Sequence, residues 1–162
     1  MRSFPSIHPS LRGLAHVAKH KIPFHKELGL ELLHFEPGYV IARIPCRAAL
    51  IGDPVRPSIH GGVISLLVDV VGGFAVASTT EDMRDRVSTI DLRTDYLRPG
   101  NTDLDLYGVG RSVRTGARIA VARMQIYSAS SVPDESGPTA LQPIALGQAS
   151  YHVHRFSAAD AT

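Results

Sequence analysis

Residues 59–78 read IHGGVISLLVDVVGGFAVAS, and the stretch decides the fold. From Gly61 to Ala77 it is the most apolar part of the chain. It is short for a membrane span, it holds four glycines, and Asp69 sits in its middle. A carboxylate at that depth costs several kcal/mol in lipid. The segment therefore reads as a helix, residues 60–78, buried inside a globular domain. At about 100° per residue, Val63, Leu67, Val70, Phe74 and Ala77 share one face and form the expected core stripe. Gly62, Ser65, Asp69, Gly72 and Gly73 share the other. Small residues let another backbone or a thin ligand come close. A carboxylate among them needs a specific partner or an altered proton affinity, which is what working groups show. A structural alternative is that Asp69 only binds a neighbouring backbone N–H. The helix start adds weight to the first reading. His60-Gly61-Gly62 offers free N–H groups at a positive helix end with no Cβ in the way, the makings of an anion or oxyanion site.

Outward from this helix the chain alternates apolar runs and turn signals. Leu11, Leu14, Ala15 and Ala18 recur at helical spacing, with Ser10 as the expected N-cap and Pro23 as the stop. Residues 28–35 and 39–44 read as strands joined by Glu36-Pro37-Gly38. Residues 46–59 read as a loop. After the helix, residues 87–97 form a strand with Ile90, Leu92 and Tyr96 on one face. Residues 102–113 and 117–127 make a hairpin around Arg114-Thr115-Gly116, and residues 144–154 a last strand. Residues 129–143, rich in Ser, Pro and Gly, read as a mobile loop. The expected organisation is an N-terminal helical extension, residues 1–22, and one domain, residues 23–162. One sheet with one helix buried against it is an α+β arrangement.

Composition narrows the function. The chain has 162 residues, 44% hydrophobic and 20% charged, as expected of one globular domain. Lys plus Arg is 17 against 15 Asp plus Glu, and the pI of 8.9 rests on that excess without a contiguous basic run. No nucleic-acid or membrane partner is expected on that ground. The N-terminus lacks the apolar core of a secretory leader, so a cytoplasmic protein is expected. The single cysteine, Cys46, excludes an internal disulfide framework and reads as a packing residue. His16 with His20, and His152 with His154, lack acidic partners at ligand spacing, so neither a metal nor another cofactor is expected. His60 reads as a catalytic-site residue that fixes the helix start by hydrogen bonding, service as the base being the lesser alternative. Gly108-x-Gly110 has Val113 where a dinucleotide fingerprint needs its third glycine. No G-x-S-x-G elbow is present.

Ile59-His60-Gly61-Gly62-Val63-Ile64, followed by Leu67-Val68-Asp69, resembles the helix motif of hot-dog fold acyl-CoA thioesterases of the phenylacetate-pathway (PaaI) type. Thr89 to Pro99 is similar to that family's following strand, and Gly29 to Pro45 to its first hairpin; the resemblance spans about residues 23–153. It implies an antiparallel sheet of five or six strands wrapped around the long helix. It also implies a homodimer joined at sheet edges, or a homotetramer of two dimers, with acyl-CoA at the subunit interface. Carried over by position, the Gly61 N–H polarises the thioester carbonyl, Asp69 of the partner subunit activates water or attacks the carbonyl, and Thr89 helps hold the water. His60 stands at the motif's histidine, and Gly62 and Ser65 line the substrate side. Arg98, Arg114 and Arg118 stand near strand ends and suit the CoA phosphates or are ordinary surface charges. One departure is plain: where the family often has Asn or Gln about six residues before the histidine, this chain has Asp53-Pro54. That departure favours a non-catalytic acyl-CoA-binding protein as an alternative to thioester hydrolysis; a hot-dog hydratase or dehydratase is another.

Overall fold

The central helix lies close against a sheet because three glycines of the sheet make room for it. In the computed structural model, which describes residues 5–133 and 141–157, the helix is α3, Gly61–Ala77. A Cβ on Gly110 would stand 2.2 Å from the Val71 carbonyl oxygen, and one on Gly147 2.3 Å from Val68. One on Gly108 would stand 2.8 Å from Leu67. The Gly108-x-Gly110 pair is thus a groove for helix backbone.

The other elements are β1 (Ser6–Ile7), α1 (Arg12–His20), α2 (Pro23–Leu28), β2 (Glu31–Glu36), β3 (Tyr39–Ile44), β4 (Ile51–Asp53) and β5 (Ser58–Ile59). After α3 come β6 (Arg86–Tyr96), β7 (Asp105–Thr115), β8 (Ile119–Ala129) and β9 (Ala145–His154). The main sheet has the order β1-β2-β3-β7-β8-β9-β6. Its six long strands pair antiparallel, and the two-residue β1 adds parallel to β2. The result is the α+β hot-dog architecture, with one strand beyond the five or six expected. That strand comes from the segment before residue 23, so part of the N-terminal extension is woven into the sheet. Residues 134–140 of the expected mobile loop lie outside the described residues.

Several boundaries differ from the sequence reading, each for a local reason. Ser10 does not cap α1; its hydroxyl bonds the His8 ring, and Leu11 occupies the cap without a side-chain bond. Pro23 opens α2, because a proline at the first helical position gives up only an unpaired N–H. Leu28 ends α2, and Gly29, at φ 65°, turns the chain into β2. Residues 46–59 contain the small β4–β5 hairpin.

The buried face of α3 is also rotated from the expected one. Ile64, Leu67, Val68, Val71 and Ala75 are buried at i, i+3, i+4 spacing, while Val63, Phe74 and Ala77 are only partly so. Gly72, expected on the small-residue stripe, is buried because Tyr151 and Met124 pack where its side chain would be. Gly110→Ala should therefore lower the unfolding free energy by about 1–3 kcal/mol in a denaturant titration, since the obstacle is backbone that cannot rotate away. Wild-type stability in that variant would remove the close helix–sheet approach.

Candidate active site

The first turn of α3 satisfies its own backbone donors with one exception. His60 is the N-cap, in extended conformation (φ −60°, ψ 128°). Its own N–H donates to the Leu50 carbonyl at 2.8 Å. Its Nδ1 accepts from Gly62 N–H at 2.9 Å, and its carbonyl accepts from Val63 N–H at 2.9 Å. Among the described residues, the Gly61 N–H is left without a partner. A helix N-terminus leaves donors unpaired, and here the cap leaves one, at the positive end of a 17-residue helix. The strand β4 fits flush against this cap: a Cβ on Gly52 would stand 2.6 Å from the His60 Cα.

A second group holds the next turn in place. The Tyr96 hydroxyl donates to the Gly61 carbonyl at 3.0 Å and lies 2.5 Å from Ser65 Oγ. Ser65 is also 3.4 Å from Thr94 Oγ1. In the longer of these contacts Ser65 Oγ is the donor to Thr94 Oγ1. Ser65 is thus engaged in a β6–α3 link, and Gly62 beside it is exposed.

Asp69 lies two turns further along, about 12 Å from Gly61 at 1.5 Å rise per residue. Thr89 Oγ1 donates to Asp69 Oδ1 at 2.7 Å, the specific partner that its position calls for. Thr89 reaches the helix because β6 changes face. The β6–β9 register shifts between Thr89 and Asp91, leaving Ile90 as an extra residue. Thr89 therefore faces α3 on one side of the bulge, and Thr94 and Tyr96 face it on the other. Ile90, expected on the face of Leu92 and Tyr96, is 56% exposed. Behind Asp69, the Tyr151 hydroxyl lies 3.4 Å from the Asp69 carbonyl. Burial, and then the Asp69 charge, push the Tyr151 phenol well above its ordinary value, so it stays neutral.

The remaining expected residues do not converge. Arg98 donates to the Pro143 carbonyl at 3.0 Å, in the stretch that follows Tyr96. Arg114 is at the other end of α3, where Thr115 Oγ1 meets Thr79 Oγ1 at 2.7 Å. Arg118 follows in the same hairpin, its carbonyl bound to Val153 N–H. Asp53 is turned into its own loop: Oδ1 accepts from Val55 and Arg56 N–H at 2.8 and 3.0 Å, which holds its carboxyl below the usual range. Cys46 Sγ donates to the Thr102 carbonyl at 2.9 Å, and burial pushes the thiol up. Tyr96 and Tyr151 are the site residues the sequence reading missed. Strand alternation from Leu92 points to Tyr96; Tyr151 carries no local signal.

These features recur in known proteins. The sequence model of the thioesterase superfamily matches residues 57–133, which include α3, β6 and β7. The medium/long-chain acyl-CoA thioesterase YigI of Salmonella typhimurium is 30% identical over 131 residues, covering 74% of this chain and 84% of that protein. A crystal structure from Shewanella oneidensis, described as related to the thioesterase superfamily, superimposes with a TM-score of 0.71 at 31% identity, covering 88% of this chain and 94% of that one. A thioesterase from Haemophilus influenzae shares the fold at a TM-score of 0.70 and 20% identity, covering 88% and 89%. The chain belongs to the thioesterase superfamily, and by class it is a thioester hydrolase.

His60→Ala should free the Gly62 N–H and cost about 1 kcal/mol of stability, the ordinary worth of a side-chain cap. An unchanged midpoint in thermal unfolding would show that the ring does not cap the helix.

Proposed function

We propose that the protein hydrolyses acyl-CoA thioesters, in a site built by two subunits. The observation that carries this reading is the single unpaired Gly61 N–H at the start of the helix that also bears the Thr89-bound Asp69. One thioester carbon needs its oxyanion donor and its base each within about 3 Å of the reacting atoms. Two such groups 12 Å apart on one rigid helix do not meet that need. Two helices packed antiparallel do, with Gly61 of one opposite Asp69 of the other. The outer edge of β6 is unpaired among the described residues, and Ile90, Tyr96 and Leu97 there are 56%, 53% and 48% exposed. An eleven-residue open edge of this kind is a natural seam for a homodimer, or for the dimers of a homotetramer.

In this arrangement the acyl carbonyl oxygen accepts from the Gly61 N–H. The partner's Asp69 takes a proton from a water held at its free carboxylate oxygen, Thr89 fixing the other. Hydroxide adds to the carbonyl carbon, and the carbonyl electron pair moves to the oxygen facing Gly61. Collapse expels the CoA thiolate, which takes the proton from Asp69 to give the free thiol and a carboxylic acid. Direct attack by Asp69 on the carbonyl, giving an anhydride that water opens, uses the same two groups. His60 acts by holding the helix start, its Nδ1 being occupied by Gly62, and this argues against a histidine–carboxylate hydratase. A cytoplasmic location goes with the reading. Among the described residues no helix is long and apolar enough to cross a membrane. YigI is named for medium and long chains; a panel of acyl-CoAs of rising length, scored by thiol release, identifies the acyl group here.

Asp69→Asn should keep the fold and lose turnover by a factor on the order of 10²–10⁴, the range for removing a general base. Thiol release within a few-fold of wild type would take Asp69 out of the reaction. Bound acyl-CoA with no thiol release from the wild type would favour the non-catalytic reading.

A further inference from the structure

The small positive excess of the chain forms no contiguous run, which is why the sequence points to no membrane partner, but it is unevenly placed. Residues 1–26 hold Arg2, Arg12, Lys19, Lys21 and Lys26 and not one of the 15 acidic residues; the remainder of the chain is net negative. In the fold, Arg12, His16, Lys19, His20, Lys21 and Lys26 are all exposed on α1, α2 and their junction. The field they create is felt locally: His20 is held below its ordinary value by desolvation and then by His16, Lys19, Lys26 and Lys21. Two apolar side chains stand out among these cations, Val17 at 40% exposure and Phe24 at 56%. Arg12, His16 and Lys19 also rim a groove of about 510 Å³ with Ile7, Leu32 and Leu33 among its apolar lining. Two exposed acids adjoin the patch, Glu31 on the groove beside Arg12, His16 and Lys19, and Glu27 next to Lys26; the four exposed cations Arg12, Lys19, Lys21 and Lys26 outnumber them. The inner side of α1 is already occupied, Leu11 and Ala18 being buried and Leu14 and Ala15 packed on the core.

We propose that the exposed face of α1 and α2 docks on an anionic lipid bilayer, the cations meeting the headgroups and Phe24 entering the interface. The cations alone would suit any polyanion. The projecting Phe24 and Val17 and the apolar groove favour a surface that is charged outside and apolar beneath. The face adjoins β2, at the opposite end of the strand order from β6, so docking leaves the β6 edge free.

The test uses the full-length protein and vesicles of phosphatidylcholine with and without phosphatidylglycerol. The protein should sediment with the anionic vesicles and stay in solution with the neutral ones. Lys19→Gln, Lys21→Gln and Lys26→Gln together should weaken that binding on the order of 100-fold, at about fivefold per cation near the surface. The triple variant should retain wild-type thioester hydrolysis in solution, which also shows that it folds. The chain has no tryptophan, so Phe24→Trp supplies a single reporter. Its emission should shift to the blue on anionic vesicles and not on duplex DNA. Equal binding to neutral vesicles, no loss in the triple variant, or an unshifted emission would each overturn the proposal.

Discussion

One helix sets the distance between the two groups that matter most. Gly61 and Asp69 are held about 12 Å apart by the rise of α3, and no side-chain movement closes that gap. The rest of the structure keeps α3 straight, close and correctly rotated. Glycines at 108, 110 and 147 let its backbone sink onto the sheet, and Ile64, Leu67, Val68 and Val71 fill the space beneath. Because the obstacles at Gly110 and Gly147 are a carbonyl and a β-branched side chain, the fit has little slack.

On the side away from the core, β6 ties the helix along its length. Tyr96 holds Gly61, Thr94 and Tyr96 hold Ser65, and Thr89 holds Asp69. All these contacts are side-chain hydrogen bonds at the border between core and solvent, each worth about 1 kcal/mol net. Their value is in direction. The Ile90 bulge lets one strand present Thr89 and Tyr96 to the same helix face although they are seven positions apart, a spacing that strict alternation would place on opposite faces. Among the described residues the same strand is one of the two edges of the sheet, so in the proposed dimer the strand that holds Gly61, Ser65 and Asp69 also meets the second subunit.

Much of this was legible in residues 59–78. Length, apolarity and the Asp69 interruption specify a buried helix, and His60-Gly61-Gly62 specifies its start. What the sequence concealed has physical reasons. The rotation of the core stripe follows from helix–sheet packing: a uniformly apolar helix shows no strong preferred face, and the glycines on β7 and β9 decide which one goes in. Tyr151 reaches Asp69 across 82 positions, through a space that Gly72 leaves empty. Pro23 looked like a stop because a proline ends one helix and starts another equally well. The Asp53-Pro54 departure was legible, and the structure adds that Asp53 spends its carboxylate on its own turn.

The most direct test of the shared site is complementation between subunits. Gly61 is the first residue of α3, and His60 before it is already in the extended conformation that a following proline requires. Gly61→Pro therefore removes the one unpaired donor with little cost to the helix, as circular dichroism of that variant should confirm. Gly61→Pro and Asp69→Asn proteins should each be inactive, and mixing them with subunit exchange should restore thiol release from one intact site per mixed dimer. If both fold and exchange subunits and the mixture stays inactive, Gly61 and Asp69 do not act across the interface.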